Sequence, residues 1–386
     1  MTPSQALGSY DFDLHGVVGV RLLDATDADL STVTRQLGPL RAELDRDPDL
    51  TVRFVDRATD RPLTYVAVGE SGFNEDGFFL LQGSHGVRAR ARVPFDGLGG
   101  SPEILCERAM PDVPHLLAMV NLTALAKGVL PLHASAFRIG ARTVLVTGWS
   151  KSGKTESLLA ALGSGAGYVG DEWIYLTPDG QLFGVPEPIR VWAWHLDQLP
   201  ELWEARTGTE RRRLRGWRLA ARLAAGIAAH EELPGAALAR RAAPILSRQA
   251  CVRIPPEQLF GERMQATAAL DSVVLLLSHD GADTTVSAAG PTEVSERMSA
   301  SLAEEREPFM AHYRQFRFAF PDCRSAVVDS AVRREAELLR ALFDERPAAK
   351  VAHPYPCDLK ALGDAVWAAA TTLGSRSGQE NGVLAP

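Results

Sequence analysis

One eight-residue stretch constrains this chain more than any other: Gly148-Trp149-Ser150-Lys151-Ser152-Gly153-Lys154-Thr155. It has the form GxxxxGK[ST], which requires a strand before it and a helix after it. Thr143-Val144-Leu145-Val146-Thr147 reads as that strand, and residues 156–162 read as that helix. The residue types follow from the chemistry of holding an anion. Gly148 and Gly153 let the backbone wrap a phosphate, while loop N–H groups and the helix N-terminus supply positive ends. Lys154 would reach the β- and γ-phosphates, and the Thr155 hydroxyl would ligate Mg²⁺. The implied ligand is a nucleoside triphosphate with Mg²⁺. ATP is the expectation, and the residues leave GTP open.

Composition narrows the rest. The chain's 386 residues leave room for two or three domains. A single domain commonly takes about 150 residues. Hydrophobic residues make up 46% of the chain and charged residues 23%. That balance is neither disordered nor collagen-like. A net charge of −7 gives no global basic field to draw it to nucleic acid or anionic lipid. The four cysteines lie far apart, with no metal-ligand spacing, which fits a reducing compartment. The start, MTPSQALGSYDFDLHG, lacks the basic and apolar regions of a signal peptide. The apolar run 272–278 is too short to cross a bilayer. The cytoplasm is the expected location, with no membrane or nucleic acid as partner; a homo-oligomer stays open.

The fold class expected is α/β, organised in three parts. Residues 1–112 read as an α+β domain of short strands (17–23, 51–55, 63–68, 78–81 and 87–93) with one helix at about 29–44. Residues 113–290 form the core around the phosphate loop. A helix spans 114–126, and strands are expected at 132–139, 143–147, 168–169, 173–176 and 272–277. Within it, 197–253 is a helical insert, and 219–229 is Ala-rich. From 205 to 253 there are eleven arginines against three glutamates, a local charge of +8 that leaves −15 for the remainder. Either these arginines face water, or they line a lid over a phosphate or an acidic substrate. Residues 291–386 read as mostly helical (about 292–305 and 333–343) with a polar tail.

Tyr168-Val169-Gly170-Asp171-Glu172 ends a short apolar strand in two adjacent carboxylates, downstream of the loop and its helix. Returning beside the loop, it would bring both to the metal and the γ-phosphate. One could hold Mg²⁺ while the other accepts a proton from an attacking hydroxyl. Which does which is not fixed by spacing. Upstream, Leu130-Pro131-Leu132-His133-Ala134-Ser135-Ala136 puts a histidine in an apolar strand. On spacing alone His133 is better read as a core residue.

His133, the loop with Glu156 directly after Thr155, and Val169-Gly170-Asp171-Glu172 together resemble the HPr kinase/phosphorylase superfamily over residues 130–184. In that family a histidine strand precedes a loop ending GKSE, and an acidic pair follows at this spacing. The resemblance implies a P-loop fold of phosphoenolpyruvate-carboxykinase type and Mg²⁺- and ATP-dependent phosphorylation of a hydroxyl. The acceptor would be a serine or threonine of a protein or peptide, or a small molecule. It implies that Lys154 and Thr155 handle phosphate and metal, that Asp171 is the base, and that Glu172 is its acidic partner near Mg²⁺. It also makes His133 a member of the site. This chain departs by carrying Glu172 for an aspartate and Thr155 for a serine, and by its unusual Trp149 and Lys151. Its N-terminal region and Arg-rich insert have no alignable counterpart, so neither a phosphocarrier substrate nor phosphorylase activity carries over. Arg190 is a candidate charge stabiliser, with a structural salt bridge as the other reading.

Two functions from different classes remain. One is a kinase; the other is a catalytically silent ATP-binding accessory protein that holds a partner through its N-terminal domain or Arg-rich segment. ATP hydrolysis coupled to motion ranks behind both. The intact acidic pair and His133 favour the kinase.

Overall fold

The computed structural model describes residues 7–84, 87–230, 232, 235–344 and 346–376. The chain is mixed α/β, and eleven α-helices and four sheets lie among those residues.

The N-terminal region builds an eight-stranded mixed sheet in the order Gly8–Leu14, Val18–Ala25, Leu50–Val55, Glu103–Glu107, Val87–Arg92, Gly77–Ser84, Ser71–Asn74 and Thr64–Ala67. Period-two patterning drives it: Leu50, Val52 and Phe54 are buried while the residues between them are only partly so. The expected helix at 29–44 runs Asp27–Leu37 instead. Thr26 caps its start in a reciprocal pair with Asp29, and Gly38 (φ 73°) followed by Pro39 stops it. Phe78 and Phe95 of this region pack against Phe316 and Phe309 of a long helix, Pro291–Ala319.

The strand that leads into the 148–155 loop, Arg142–Gly148, lies inside a six-stranded sheet. Its order is Gly167–Gly170, Ser135–Ile139, Arg142–Gly148, Ser272–His279, Ala348–Pro354, Thr285–Ala288. The neighbour Ser272–His279 runs parallel to the loop strand, and Ala348–Pro354 parallel to that. The unbroken runs Val144-Leu145-Val146 and Val273-Val274-Leu275-Leu276 are buried throughout, as strands covered on both faces should be. Helices Lys154–Gly163 and Leu359–Arg376 pack against each other and onto this sheet.

Several expectations need correction. The single strand at 132–139 is two strands, Leu130–His133 and Ser135–Ile139, in different sheets. The first joins Trp173–Leu176, Gln181–Gly184 and Thr267–Ala269 in a four-stranded sheet. The C-terminal part is not only helical, because Ala348–Pro354 is a strand inside the six-stranded sheet. A further helix, Leu359–Arg376, which the sequence reading did not single out, buries Leu359, Leu362, Val366, Ala369 and Ala370. Residues 377–386, in the expected polar tail, lie outside the described residues. The expected helices at 219–229 and 292–305 extend to Gly208–Ala228 and Pro291–Ala319. Thr207 starts the former with a capping box to Glu210.

No helix among the described residues is long and apolar enough to cross a membrane.

Candidate active site

Two chain segments change sheets at one place. The first crosses at Ala134, between Leu130–His133 and Ser135–Ile139; the second crosses at Asp171-Glu172, between Gly167–Gly170 and Trp173–Leu176. The Ala134 N–H donates to the Glu172 carbonyl (3.0 Å), which pins the two crossings together. Glu172 makes its crossing with φ 67°. A side chain other than glycine adopts that left-handed conformation only under constraint. Besides Ala134, the residues at or beside these crossings are His133, Ser135, Asp171 and Glu172, whose side chains can move or hold protons.

The 148–155 loop lies beside that seam. Gly148 (φ 152°) and Gly153 (φ 102°) leave no room for a side chain. A Cβ on Gly148 would stand 2.6 Å from the Leu276 carbonyl oxygen, and one on Gly153 would stand 2.7 Å from His353 Nε2. His353, fully buried on Ala348–Pro354, donates from Nε2 to the Ser152 carbonyl at 2.7 Å and so props the loop from beneath. At the outer turn Trp149, Ser150 and Lys151 are exposed, with Lys151 at φ 64°. Ser152 is buried, and its Oγ has no hydrogen-bond partner among the described residues.

Lys154 is buried and donates from Nζ to the carbonyls of Trp149 (2.9 Å) and Gly148 (3.2 Å). Burial holds its ammonium below the usual lysine range, although Glu172, Asp171 and Glu305 pull the other way. Thr155 Oγ1 donates to Asp171 Oδ2 at 3.0 Å, and Ser135 Oγ donates to Asp171 Oδ1. Asp171 is therefore held on both oxygens, and it is almost wholly buried. Burial first, and then the neighbouring Glu172, pushes its carboxyl up to about 6. Glu172 turns to His133, whose Nε2 is 2.9 Å from Glu172 Oε2, while His133 Nδ1 is 2.5 Å from Glu305 Oε1. Only the doubly protonated ring can donate to both carboxylates. Burial works against that charge, but the hydrogen bonds to Glu172 and Glu305 outweigh it and push His133 up to about 9. The His133 ring also stacks on Trp173, with centroids 5.8 Å apart.

Thus Lys154, Thr155, Asp171, Glu172 and His133 come together. Glu156 does not join them: its carboxylate accepts from Nε2 of the fully buried His195 at 3.2 Å, on the flank of the loop helix. Arg190 is exposed on a two-stranded ribbon, with its guanidinium 5.6 Å from the Trp192 ring and its charge helping to lower Glu172. It makes no ion pair among the described residues, so the salt-bridge reading finds no partner there.

Sequence reasoning missed Ser135, Glu305, Glu187 and His353. Glu305 sits 172 positions from His133, on the long helix, and nothing local distinguishes it from a solvated helix residue. Glu187 lies near the crossing strands, and burial followed by the charges of Glu172 and Asp171 pushes it up to about 7. Its place in Val185-Pro186-Glu187-Pro188 gave no catalytic pattern. Glu305 and Trp173 also line a cavity of about 270 Å³ with otherwise mainly apolar walls and the buried Arg306–Glu335 ion pair.

The donors available to a metal are hard oxygens: the Thr155 hydroxyl and the Asp171 and Glu172 carboxylates. Among the described residues no three His, Cys, Asp or Glu side chains form a metal cage. That pattern suits Mg²⁺, which takes one or two protein oxygens and completes its shell with water and phosphate. Compared with known proteins, the chain matches no family model and no curated protein.

Proposed function

We propose that this chain is an ATP- and Mg²⁺-dependent kinase transferring the γ-phosphoryl group to a hydroxyl of a serine or threonine in a protein or peptide, or of a small molecule. The observation that carries the reading is the Thr155 Oγ1–Asp171 Oδ2 hydrogen bond of 3.0 Å. It ties the 148–155 loop to the acidic strand end, so the groups suited to hold a triphosphate and the group suited to take a proton share one site.

The loop N–H groups and Lys154 bind the phosphates. Thr155, Asp171 and Glu172 are the residues that would hold Mg²⁺, which when bound neutralises charge on the phosphate oxygens. The acceptor oxygen forms its bond to the γ-phosphorus as the bond to the β–γ bridging oxygen breaks. The hydroxyl proton passes to the Asp171 carboxylate. His133, pinned between Glu172 and Glu305, is a positioning residue: it fixes the Glu172 carboxylate, and its positive charge balances the acids around it. Most of the rate then comes from positioning and charge neutralisation.

The test uses γ-labelled ATP with Mg²⁺ and candidate hydroxyl acceptors, comparing wild type with Asp171→Asn and Lys154→Ala. Wild type should transfer label, and Asp171→Asn should lose ~10²–10⁴ in rate, the usual cost of removing a positioned base. ATP bound alike by wild type and Asp171→Asn, with no transfer by either, would sink the kinase and leave an ATP-binding accessory protein.

A further inference from the structure

The Arg-rich insert has a defined root. Residues 193–250 join the two strands of one antiparallel ribbon, Ile189–Trp192 and Cys251–Ile254; Ala193, His195 and Leu196 stay buried in the body, and the helices Gly208–Ala228 and Ala236–Gln249 stand out beyond them. That ribbon starts close to the site. The preceding segment crosses strand Gly167–Gly170, where Tyr168 OH donates to the Val185 carbonyl (3.3 Å) and Gly184 packs against Gly170. Asp171 is the next residue along that strand.

The ribbon buries Ile189, Val191, Val252 and Ile254 and turns Arg190 and Arg253 outward. These two arginines are directly opposite each other in the register. Like charges at such a position repel. Arg190's charge helps hold Glu172 low, while Arg253 only partly opposes the burial and acidic neighbours that raise Glu187, and neither arginine makes an ion pair among the described residues.

The hairpin carried by the ribbon repeats the pattern. Along helices Gly208–Ala228 and Ala236–Gln249 only Leu214 and Ala236 are buried. Arg212, Arg213, Arg222, Arg241 and Arg248 are exposed and make no ion pair among the described residues. Interleaved with them are exposed apolar side chains: Leu219 (60%), Leu223 (59%), Leu238 (73%) and Ile245 (59%). A partner that satisfies both sets carries acidic and apolar side chains together. A nucleic acid would leave the leucines uncovered, and a lipid surface would not account for an arginine pair on the ribbon beside the site.

We infer that the acceptor is an acidic peptide bearing leucine-like side chains, docked along the arm formed by the Arg190/Arg253 ribbon and its arginine-lined hairpin. The inference rests on the kinase reading only for calling the docked peptide an acceptor. Docking itself needs no phosphoryl transfer. Guanidinium groups bind carboxylates in bidentate fashion, the leucines cover apolar side chains of the peptide, and the root of the arm directs the peptide toward Asp171.

The experiment uses the full chain without nucleotide and reads fluorescence anisotropy of a labelled short peptide alternating Glu and Leu around one Ser. A matched peptide with Lys for Glu, and phosphatidylcholine vesicles with and without phosphatidylglycerol, are the comparison ligands. The variants are Arg190→Ala/Arg253→Ala on the ribbon and Arg222→Glu/Arg241→Glu on the hairpin. The second pair is solvent-exposed and keeps the test open if the ribbon variant misfolds. The expected result is binding of the Glu peptide only, weakened by salt and by at least about tenfold in each double variant. Equal binding of the Glu and Lys peptides, indifference to both variants, or binding of anionic vesicles in place of the peptide would overturn it. Adding labelled ATP then separates the two readings. Variant-sensitive binding with no transfer to any acceptor leaves the docking arm and removes the kinase. Transfer to the serine without variant-sensitive binding keeps the kinase and removes the arm.

Discussion

Around the 148–155 loop, buried charge is matched within the chain: Lys154 on two carbonyls, Asp171 on two hydroxyls, His133 between two glutamates, Glu156 on His195. In the insert between Trp192 and Cys251, Arg218 pairs with Asp197, but most of the arginines stand in solvent without an ion pair among the described residues. The contrast has a physical cause. A buried charge without a partner costs several kcal/mol, so a core site folds only if its network is complete. An exposed arginine costs almost nothing to leave unpaired, so surface charge can be kept for a ligand that is not part of the fold. The first region is preorganised; the second leaves most of its arginines exposed to solvent.

The contrast can be broken or sharpened by substitution. The largest expected effect after the loss of transfer in Asp171→Asn is on the Arg306–Glu335 pair, whose side chains are 9% and 5% exposed. Arg306→Met strands a buried glutamate and should cost about 3–5 kcal/mol in urea unfolding, while Arg306→Met/Glu335→Leu together should recover most of that. A double variant as unstable as the single one would mean that packing, not charge matching, governs this region.

Acid should act next. His115 is hydrogen-bonded to His312 at 2.8 Å, and burial followed by that neighbour lowers it from 6.5 to about 4. Its folded pKa is below the unfolded value, so the unfolded chain binds the extra proton between those two values. The stabilisation is complete above the unfolded pKa and is lost as pH falls toward the folded one, about 3 kcal/mol in all. The stability of wild type relative to His115→Asn, measured by urea unfolding at pH 7, 5.5 and 4.5, should fall in that order, because the variant lacks only this group's contribution. Position 115 has φ 58°. Asparagine tolerates that left-handed backbone.

Gly153→Ala comes third. The added Cβ meets His353 Nε2 at 2.7 Å on a backbone with φ 102°. It should cost upwards of ~1 kcal/mol in stability and weaken nucleotide binding, checked by thermal unfolding and ATP titration. Smallest of all, Arg222→Ala and Arg241→Ala on the hairpin should stay within ~0.5 kcal/mol of wild type in the same unfolding assay. A loss there of several times that size would show that the insert is a structural brace and would end the contrast between the two regions.

The 148–155 loop was legible because its parts are contiguous: strand, eight loop residues and helix adjoin in sequence, and local backbone geometry dictates which of them are glycine. The acidic pair was legible for a related reason, as two carboxylates at the end of an apolar strand. Glu305 and His353 were not, because their roles come from contacts 172 and 201 positions away, set by a helix laid beside the seam and a strand added to the sheet. Ser135 was read inside one continuous strand, and only the break at Ala134 shows that it and His133 serve different sheets at one crossing.

The sequence by itself determined the glycine-rich loop between its strand and helix, the neighbouring pair of acids, the basic insert and the α/β character, since each is written in short-range spacing and composition. The tertiary structure alone decided which carboxylate faces Thr155, what holds His133 charged, and that Arg190 and Arg253 share one face at the root of the insert. Those depend on sheet order and register, through which distant segments meet in the folded chain, and no local pattern encodes which residue a strand will find opposite it.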